Sequence, residues 1–223
     1  MPHPELIIFD CDGVLVDSEP LANQVMADYL NEQGLPCTRM QASTRFVGLS
    51  FASIRKSIQI EDGVTLPATF EQEVMRRDLE VFKTNLKAIN GVADVLTSLA
   101  LAKCVASSGN HGKIRNSLTL TDLLDHFGHN IFSATDVVHG KPAPDLFLHA
   151  ARNMGALPKN TIVIEDSLVG VQAGVAAGMR VFGFLGGGHI GVGHGQRLLS
   201  AGAELVFERM QDLNALINGD LPS

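Results

Sequence analysis

The sequence is poor in aromatic and basic side chains. Its 223 residues include no tryptophan, one tyrosine and eleven phenylalanines, and 17 basic residues stand against 24 acidic ones. Binding of single-stranded nucleic acid without sequence preference relies on aromatic platforms and a basic groove. The densest basic cluster here is the pair Arg76-Arg77, and the net charge is −7. A chain with this charge repels nucleic acid and anionic membranes, so neither is expected as a partner.

Cysteine and long apolar segments are also scarce. The three cysteines, Cys11, Cys37 and Cys104, are odd in number and lack CxxC spacing. A disulfide framework and a structural zinc site are therefore not expected, and a reducing cytoplasm is the expected location. No signal-peptide pattern is visible at the start of the sequence. The most apolar stretch, residues 168–188, is interrupted by glycines and polar residues, which favours a small-residue helix and a buried strand over a membrane span.

Short apolar runs recur along the chain instead. They occupy residues 6–9, 104–106, 161–164, 180–184 and 205–207. Runs without a period of two indicate strands that are buried on both faces, as in a parallel sheet. Helical patterns lie between them, and strands that alternate with helices are typical of right-handed βαβ units. The sequence therefore predicts an α/β fold with a doubly wound parallel sheet.

The segment 17–89 breaks this rhythm. It has no convincing buried strand, and its helical patterns cover residues 21–33, 50–59 and 69–82. A helical insertion after the first strand would lie above the carboxyl edge of the sheet, where open α/β sheets bind ligands. The predicted organisation is thus a core made of residues 1–16 and 90–223, with a small all-helical cap at 17–89. Hinges are expected near residues 16–19 and 88–92.

Two carboxylates, Asp10 and Asp12, follow the first apolar run directly, and Gly13 comes next. In an extended chain this spacing turns both side chains to the same side. Their repulsion is relieved by protonation of one of them or by a cation between them. Such a pair suits phosphoryl transfer, because one carboxylate can attack phosphorus while the other acts as general acid and base. The alternative is a solvated turn, where Asp and Gly are common.

A hydroxyl group follows the run 104–106. Ser107 can donate to a phosphate oxygen, assisted by the backbone N–H groups of the helix that follows, so Ser108, Gly109 and Asn110 are candidate phosphate-binding residues. His111, like Asn110, is a candidate for lining the cavity. The alternative is that the serine only caps the helix.

Two further motifs complete the set of candidate residues. Lys141 lies between a glycine and a proline, and the neighbouring prolines stiffen its loop, so its ammonium can neutralise both a phosphate and Asp10. Glu165 and Asp166 end another apolar run, and carboxylates at a strand end suit Mg²⁺. As an alternative, Asp166 or Ser167 could simply cap the next helix.

The ordered set Asp10/Asp12, Ser107, Lys141 and Glu165-Asp166 resembles the motifs of the haloacid dehalogenase superfamily. The resemblance is to its β-phosphoglucomutase and phosphoglycolate phosphatase branch, which has a helical cap inserted after the first strand. It implies a Rossmann-like core, an aspartyl-phosphate intermediate and one Mg²⁺. It also implies that the side chains of Asp10 and Asp166 and the backbone carbonyl of Asp12 ligate the ion, with Glu165 in or beside the ligand set.

Differences from other members of that superfamily reduce the number of reactions that this chain is expected to catalyse. True dehalogenases lack the second aspartate, which is present here as Asp12. Phosphonate-cleaving members use a cap lysine, and neither Lys56 nor Lys83 has a recognisable context for that role. The mutases carry a histidine where this chain has Ala22, and an arginine shortly after the cap glycine, here Gly48. Both are missing, which favours water as the phosphoryl acceptor.

The expected function is a Mg²⁺-dependent phosphatase for a small phosphorylated metabolite. Phosphosugars, sugar-acid phosphates such as 6-phosphogluconate, and phosphoglycolate all stay open as substrates. The alternatives are a β-phosphoglucomutase-like mutase and a non-catalytic protein that binds a phosphometabolite. A monomer is expected, with a dimer left open.

The residues of the predicted cap and of one glycine-rich loop are harder to assign. Arg45, Gly48 and Arg55 are the candidates for substrate contacts from the cap, and a solvated helix face is the alternative for either arginine. His189 and His194, in the loop 186–195, resemble a metal-binding pair. They have no ordered partners in the sequence, so a second metal is not predicted.

Overall fold

The structure, a computed structural model, describes residues 3–46 and 49–219. The chain divides into two compact units. The core unit comprises the chain up to Asp17 and from Lys87 onward, and the helical unit comprises Ser18–Leu86.

A single parallel sheet organises the core unit. Its strands are β1 (Leu6–Phe9), β2 (Ala102–Ser107), β3 (Ile131–Ser133), β4 (Thr161–Glu165), β5 (Arg180–Phe184) and β6 (Leu205–Phe207). They are ordered β3-β2-β1-β4-β5-β6, and all neighbouring pairs are parallel. The strand order reverses at β1, and at such a point the loops beyond the strand ends leave a crevice for a ligand. The prediction of a Rossmann-like doubly wound sheet is confirmed.

Four helices form the helical unit, in which the described residues contain no strand. They are α1 (Glu19–Glu32), α2 (Arg39–Phe46), α3 (Phe51–Glu61) and α4 (Phe70–Asn85). Proline in the first turn favours the start of α1, because its missing N–H would have no helical partner there. Tyr29, Leu30, Ile58 and Phe70 are among the buried side chains that pack together in the unit's own core. Its role as a cap stays a prediction.

The remaining helices cover the sheet of the core unit. They are α5 (Val92–Ser98), α6 (His111–Leu120), α7 (Asp145–Asn153), α8 (Leu168–Ala176), α9 (His194–Ser200) and α10 (Leu213–Asn218). Short 3₁₀ turns lie at Leu124–His126, Ala134–Asp136, Pro158–Asn160 and Met210–Asp212. Every residue of β1 and β4 is buried, which explains why β1 and the centre of β4, residues 162–164, are apolar without alternation. Within the described part of the chain, no helix has both the length and the apolar character that a bilayer span requires.

Two segments of the core unit run side by side where the chain leaves and returns. The backbone N–H of Asp17 donates to Lys87 O at 2.9 Å, and that of Ile89 donates to Leu15 O at 2.9 Å. An antiparallel bridge joins Val16 to Ala88 between these bonds. This pairing fixes residues 15–17, where the chain leaves the core unit a few residues after Asp10 and Asp12, against residues 87–89, where it returns. Both segments lie in the regions where hinges are predicted.

Candidate active site

Adjacent strands bring the predicted polar residues to one edge of the sheet. Asp10 follows β1 and donates its backbone N–H to Ile164 O at 3.0 Å. Ser107 is the last residue of β2 and Glu165 the last of β4, and both strands flank β1. Because parallel strands end at the same edge, residues far apart in the sequence meet there.

Lys141 is the centre of the polar contacts at this edge. Its side chain is 2% exposed, and its Nζ lies 2.7 Å from Asp10 Oδ1 and 2.7 Å from Glu165 Oε1. The ammonium donates its third hydrogen bond to Ala106 O at 3.1 Å, so all three of its donors are used. Burial alone would lower the pKa of Lys141, but the two carboxylates raise it above its usual range. The residue is therefore a fixed buried cation between two acids.

Three buried carboxylates form a cluster beside this lysine. Asp10, Glu165 and Asp166 each offer an oxygen, and these oxygens lie within 4.8 Å of one another. Burial raises the pKa of Asp10, although Lys141 lowers it, and burial likewise raises the pKa of Asp166. A divalent cation would relieve this cost, and carboxylate oxygens are the donors that Mg²⁺ and similar hard cations accept. The residues present therefore fit a metal ion.

The side chain of Asp12 has a different partner. Lys113 Nζ, from the first turn of α6, lies 2.7 Å from Asp12 Oδ2. Directly after Asp12 the backbone turns sharply, since Gly13 has φ +79° and donates its N–H to Val16 O at 2.8 Å. Sequence reasoning missed Lys113. The available signal was its position, because a cation in the first turn of a helix is unfavourable unless an anion faces it.

Asn110 is the N-cap of α6. Its Oδ1 accepts the backbone N–H of Lys113 at 2.9 Å. Just before it, Ser107 is buried and its Oγ accepts the N–H of Gly109 at 3.2 Å. Ser133 Oγ donates to Gly109 O at 2.7 Å and so fixes the loop from the neighbouring strand. The loop that carries the predicted phosphate-binding residues, including Ser108, is held by contacts of its own.

Replacing Asn110 by alanine is expected to lower the free energy of unfolding by about 1 kcal/mol, because the α6 N-terminus loses its side-chain cap. Asn110→Asp keeps an oxygen acceptor at the cap and should retain the stability of the unmodified protein. Urea denaturation followed by circular dichroism measures the difference. Equal stability of the alanine and aspartate variants would contradict the capping role.

Both carboxylate oxygens of Glu165 accept hydrogen bonds from groups of the protein. While one of its oxygens accepts from Lys141, Oε2 accepts the N–H of Ser167 at 2.8 Å and its Oγ–H at 2.9 Å. Ser167 Oγ also accepts the N–H of Gly170 at 3.1 Å and thereby caps α8, which is the alternative considered for this serine. A Cβ at Gly170 would overlap the Glu165 carboxylate, so the absence of a side chain at this position provides the space that the carboxylate occupies.

His189 and His194 both contact Asp166. His189 Nε2 lies 3.0 Å from Asp166 Oδ2, and His194 Nε2 lies 2.5 Å from the backbone oxygen of the same residue. Neither partner could be predicted from the sequence, because the loop 186–195 contains no acidic residue to pair with the histidines. Another residue near the site, His111, lies 2.8 Å from Asp136 Oδ1.

Within the helical unit, both candidate arginines are held by neighbouring groups. Arg45 Nη2 forms ion pairs with Glu61 Oε2 at 3.0 Å and with Asp62. Arg55 Nη1 donates to the carbonyls of Leu66 and Pro67, each at 2.8 Å. Gly48 lies outside the described residues. Contact of these three residues with a substrate stays a prediction.

Comparison with known proteins gives concordant matches. The sequence profile described as haloacid dehalogenase-like hydrolase matches residues 7–184. The 6-phosphogluconate phosphatase of Escherichia coli strain K12 is 34% identical over 190 residues, which are 85% of this chain and 86% of that protein. The β-phosphoglucomutase of Bacillus subtilis strain 168 is 30% identical over 220 residues, which are 93% of this chain and 90% of that protein.

A solved structure extends the likeness to the fold. It is a conserved haloacid dehalogenase-like protein of unknown function from Agrobacterium tumefaciens, with a TM-score of 0.90 and 38% identity. The match covers 97% of this chain and 98% of that one. These findings confirm the predicted family, core fold and hydrolase class, and this chain belongs to the haloacid dehalogenase-like hydrolases.

Proposed function

We propose that this protein is a Mg²⁺-dependent phosphatase that hydrolyses a small phosphorylated metabolite through an aspartyl-phosphate on Asp10. The observation that carries the proposal is the position of Lys141 Nζ, 2.7 Å from Asp10 Oδ1 inside a cluster of buried acids. A carboxylate held beside a fixed cation can meet an anionic phosphoryl group that it would otherwise repel.

The reaction needs two steps, with Asp12 serving both. In the first, an oxygen of Asp10 bonds to phosphorus, the bond to the leaving oxygen breaks, and Asp12 gives that oxygen its proton. In the second, Asp12 takes a proton from water, the water oxygen bonds to phosphorus, and the bond to Asp10 breaks. Phosphate leaves, and both residues regain their starting states. Lys113, 2.7 Å from Asp12, stabilises the carboxylate that Asp12 carries between the steps.

Other groups offset the charge on the transferring phosphoryl group. Its negative charge spreads over three oxygens, and the ammonium of Lys141 is proposed to offset it through its positive charge. Ser107 and the N–H groups after β2 are the proposed hydrogen-bond donors to these oxygens. Asp10 and Asp166, with the backbone carbonyl of Asp12, would hold Mg²⁺. When bound there, the ion supplies positive charge beside the phosphoryl oxygens. Glu165 is assigned to hold Lys141 in place, in keeping with its contact at 2.7 Å.

We propose a sugar phosphate or sugar-acid phosphate as the substrate. The names of the Escherichia coli and Bacillus subtilis relatives support phosphorylated carbohydrates as the class. Water is the proposed acceptor, because Ala22 stands where a mutase carries its histidine.

The test is phosphate release from a panel of phosphorylated sugars and sugar acids, including 6-phosphogluconate, with p-nitrophenyl phosphate as a generic substrate. We expect release with Mg²⁺, its loss on addition of EDTA, and its recovery when excess Mg²⁺ is restored, since the acidic cluster then regains its cation. Conversion of one sugar phosphate into an isomer without net release would instead support the mutase. Binding of these compounds without turnover would support the non-catalytic protein.

A further inference from the structure

The glycine-rich loop 186–195 reaches Asp166 at two points. His189 Nε2 lies 3.0 Å from Asp166 Oδ2, and the two side chains are only 6% and 5% exposed. His194 Nε2 lies 2.5 Å from the backbone oxygen of Asp166, and His194 is also buried. The loop and the first residue of α9 therefore hold the carboxylate and the main chain of a single acidic residue.

The ring of His194 is fixed by its second nitrogen. A carbonyl oxygen only accepts hydrogen bonds, so Nε2 of His194 must be the protonated nitrogen that donates to Asp166. Its Nδ1 is then an acceptor in the neutral ring, and Arg197 Nη2 donates to it at 3.1 Å. Because His194 is the first residue of α9 and Arg197 lies one turn further, the helix itself orients the ring.

Glycines provide the space in which His189 lies. A Cβ at Gly13 would overlap the Asp166 carboxylate and come within 3.0 Å of the His189 ring, and a Cβ at Gly187 would come within 2.9 Å of that ring. Gly188 donates its N–H to Asp17 Oδ1 at 2.9 Å, which ties the loop to the segment that follows β1. The imidazole thus occupies a space shaped by both segments.

We propose that His189 is a positioning residue for the metal ion, acting through Asp166. Its Nε2–H holds Oδ2 of that carboxylate and leaves the second oxygen for the cation, while His194 fixes the backbone of the same residue. The inference rests on the proposed function, in which Asp166 is a metal ligand. Residues that hydrogen-bond to a metal ligand typically change metal affinity by about 10–100-fold when they are replaced.

The test measures metal affinity directly. Full-length protein is titrated with Mn²⁺, free Mn²⁺ is followed by electron paramagnetic resonance, and Mg²⁺ affinity is obtained by competition. His189→Leu, which removes the donor, is expected to weaken binding by about 10–100-fold. His189→Gln places an amide N–H near the position of Nε2 and should retain most of the affinity. His129→Leu is the control, since His129 is exposed and precedes β3, at the edge of the sheet opposite the cluster.

Two results would overturn the inference. One is unchanged affinity in His189→Leu, and the other is a glutamine variant that is weakened as much as the leucine variant. If the leucine variant does not fold, as judged by circular dichroism, His189→Ala takes its place in the same comparison. An unmodified protein that neither binds Mn²⁺ nor releases phosphate refutes the proposed function itself. An unmodified protein that does both, with His189 variants of equal affinity, refutes only the role of His189.

Discussion

Asp10→Asn is expected to abolish phosphate release, lowering kcat by at least about 10⁴-fold, because an amide cannot form the bond to phosphorus that the carboxylate forms. The substitution keeps the shape of the side chain. Lys141 also keeps its contacts with Glu165 at 2.7 Å and with Ala106 O at 3.1 Å, so the variant should fold and still bind substrate. Initial rates of phosphate release and calorimetric binding of the same substrate measure the two effects separately.

The size of the loss distinguishes attack from assistance. Removing one donor that stabilises a transition state typically costs about 10²–10³ in kcat. A loss of that size in Asp10→Asn would mean that Asp10 assists the reaction and that another group or water attacks. Asp94→Asn is the matched control, since this aspartate is exposed on α5, and its activity should equal that of the unmodified protein.

The fold, and the set of polar residues at the carboxyl edge of the sheet, could be predicted because strands that are buried on both faces have continuous apolar sequences. The residues of β1 and β4 are all buried, so β1 and residues 162–164 of β4 are apolar without alternation, and the acids that follow these runs could be assigned to one edge. The elements β3 and α2 are among those that the sequence did not predict, because their burial leaves no recognisable pattern. β3 has only three residues, and α2 buries only Ala42 and Phe46, so neither shows a periodic pattern.

The contact of Lys141 with Asp10 could be predicted from its motif, but the partners of Asp12 and Asp166 could not, because they depend on distant contacts. Lys113 and Asp12 are 101 residues apart, and their pairing follows only once β2, which leads into α6, is placed beside β1. His189 lies in a glycine-rich loop and His194 begins the helix α9 that follows it, and only the path of this segment brings both to Asp166. The position of polar residues after apolar runs indicates which of them lie at the carboxyl edge of the sheet. The conformations of the loops determine which of these residues are in contact.

Lys141→Met should both inactivate and destabilise the protein. Methionine keeps much of the aliphatic stem that packs near Phe147, whose ring centre lies 4.8 Å from Nζ, but it removes the cation. Asp10 and Glu165 would then be buried without their shared partner, and breaking a buried ion pair from one side typically costs about 3–5 kcal/mol. The activity should fall by at least about 10²–10³, since a charge that faces the phosphoryl group is lost.

The destabilisation should grow with pH. Burial raises the pKa of Asp10 and Lys141 lowers it, so loss of the lysine raises the folded-state pKa further above the unfolded value of about 4. The folded variant then binds more protons than the unfolded chain, and its stability falls as pH rises through that interval. Urea unfolding at pH 5 and pH 8 should show the larger deficit at pH 8, while Lys159→Met, at an exposed lysine, changes little at either. An equal deficit at both pH values would assign the loss to packing against Phe147 and not to uncompensated charge.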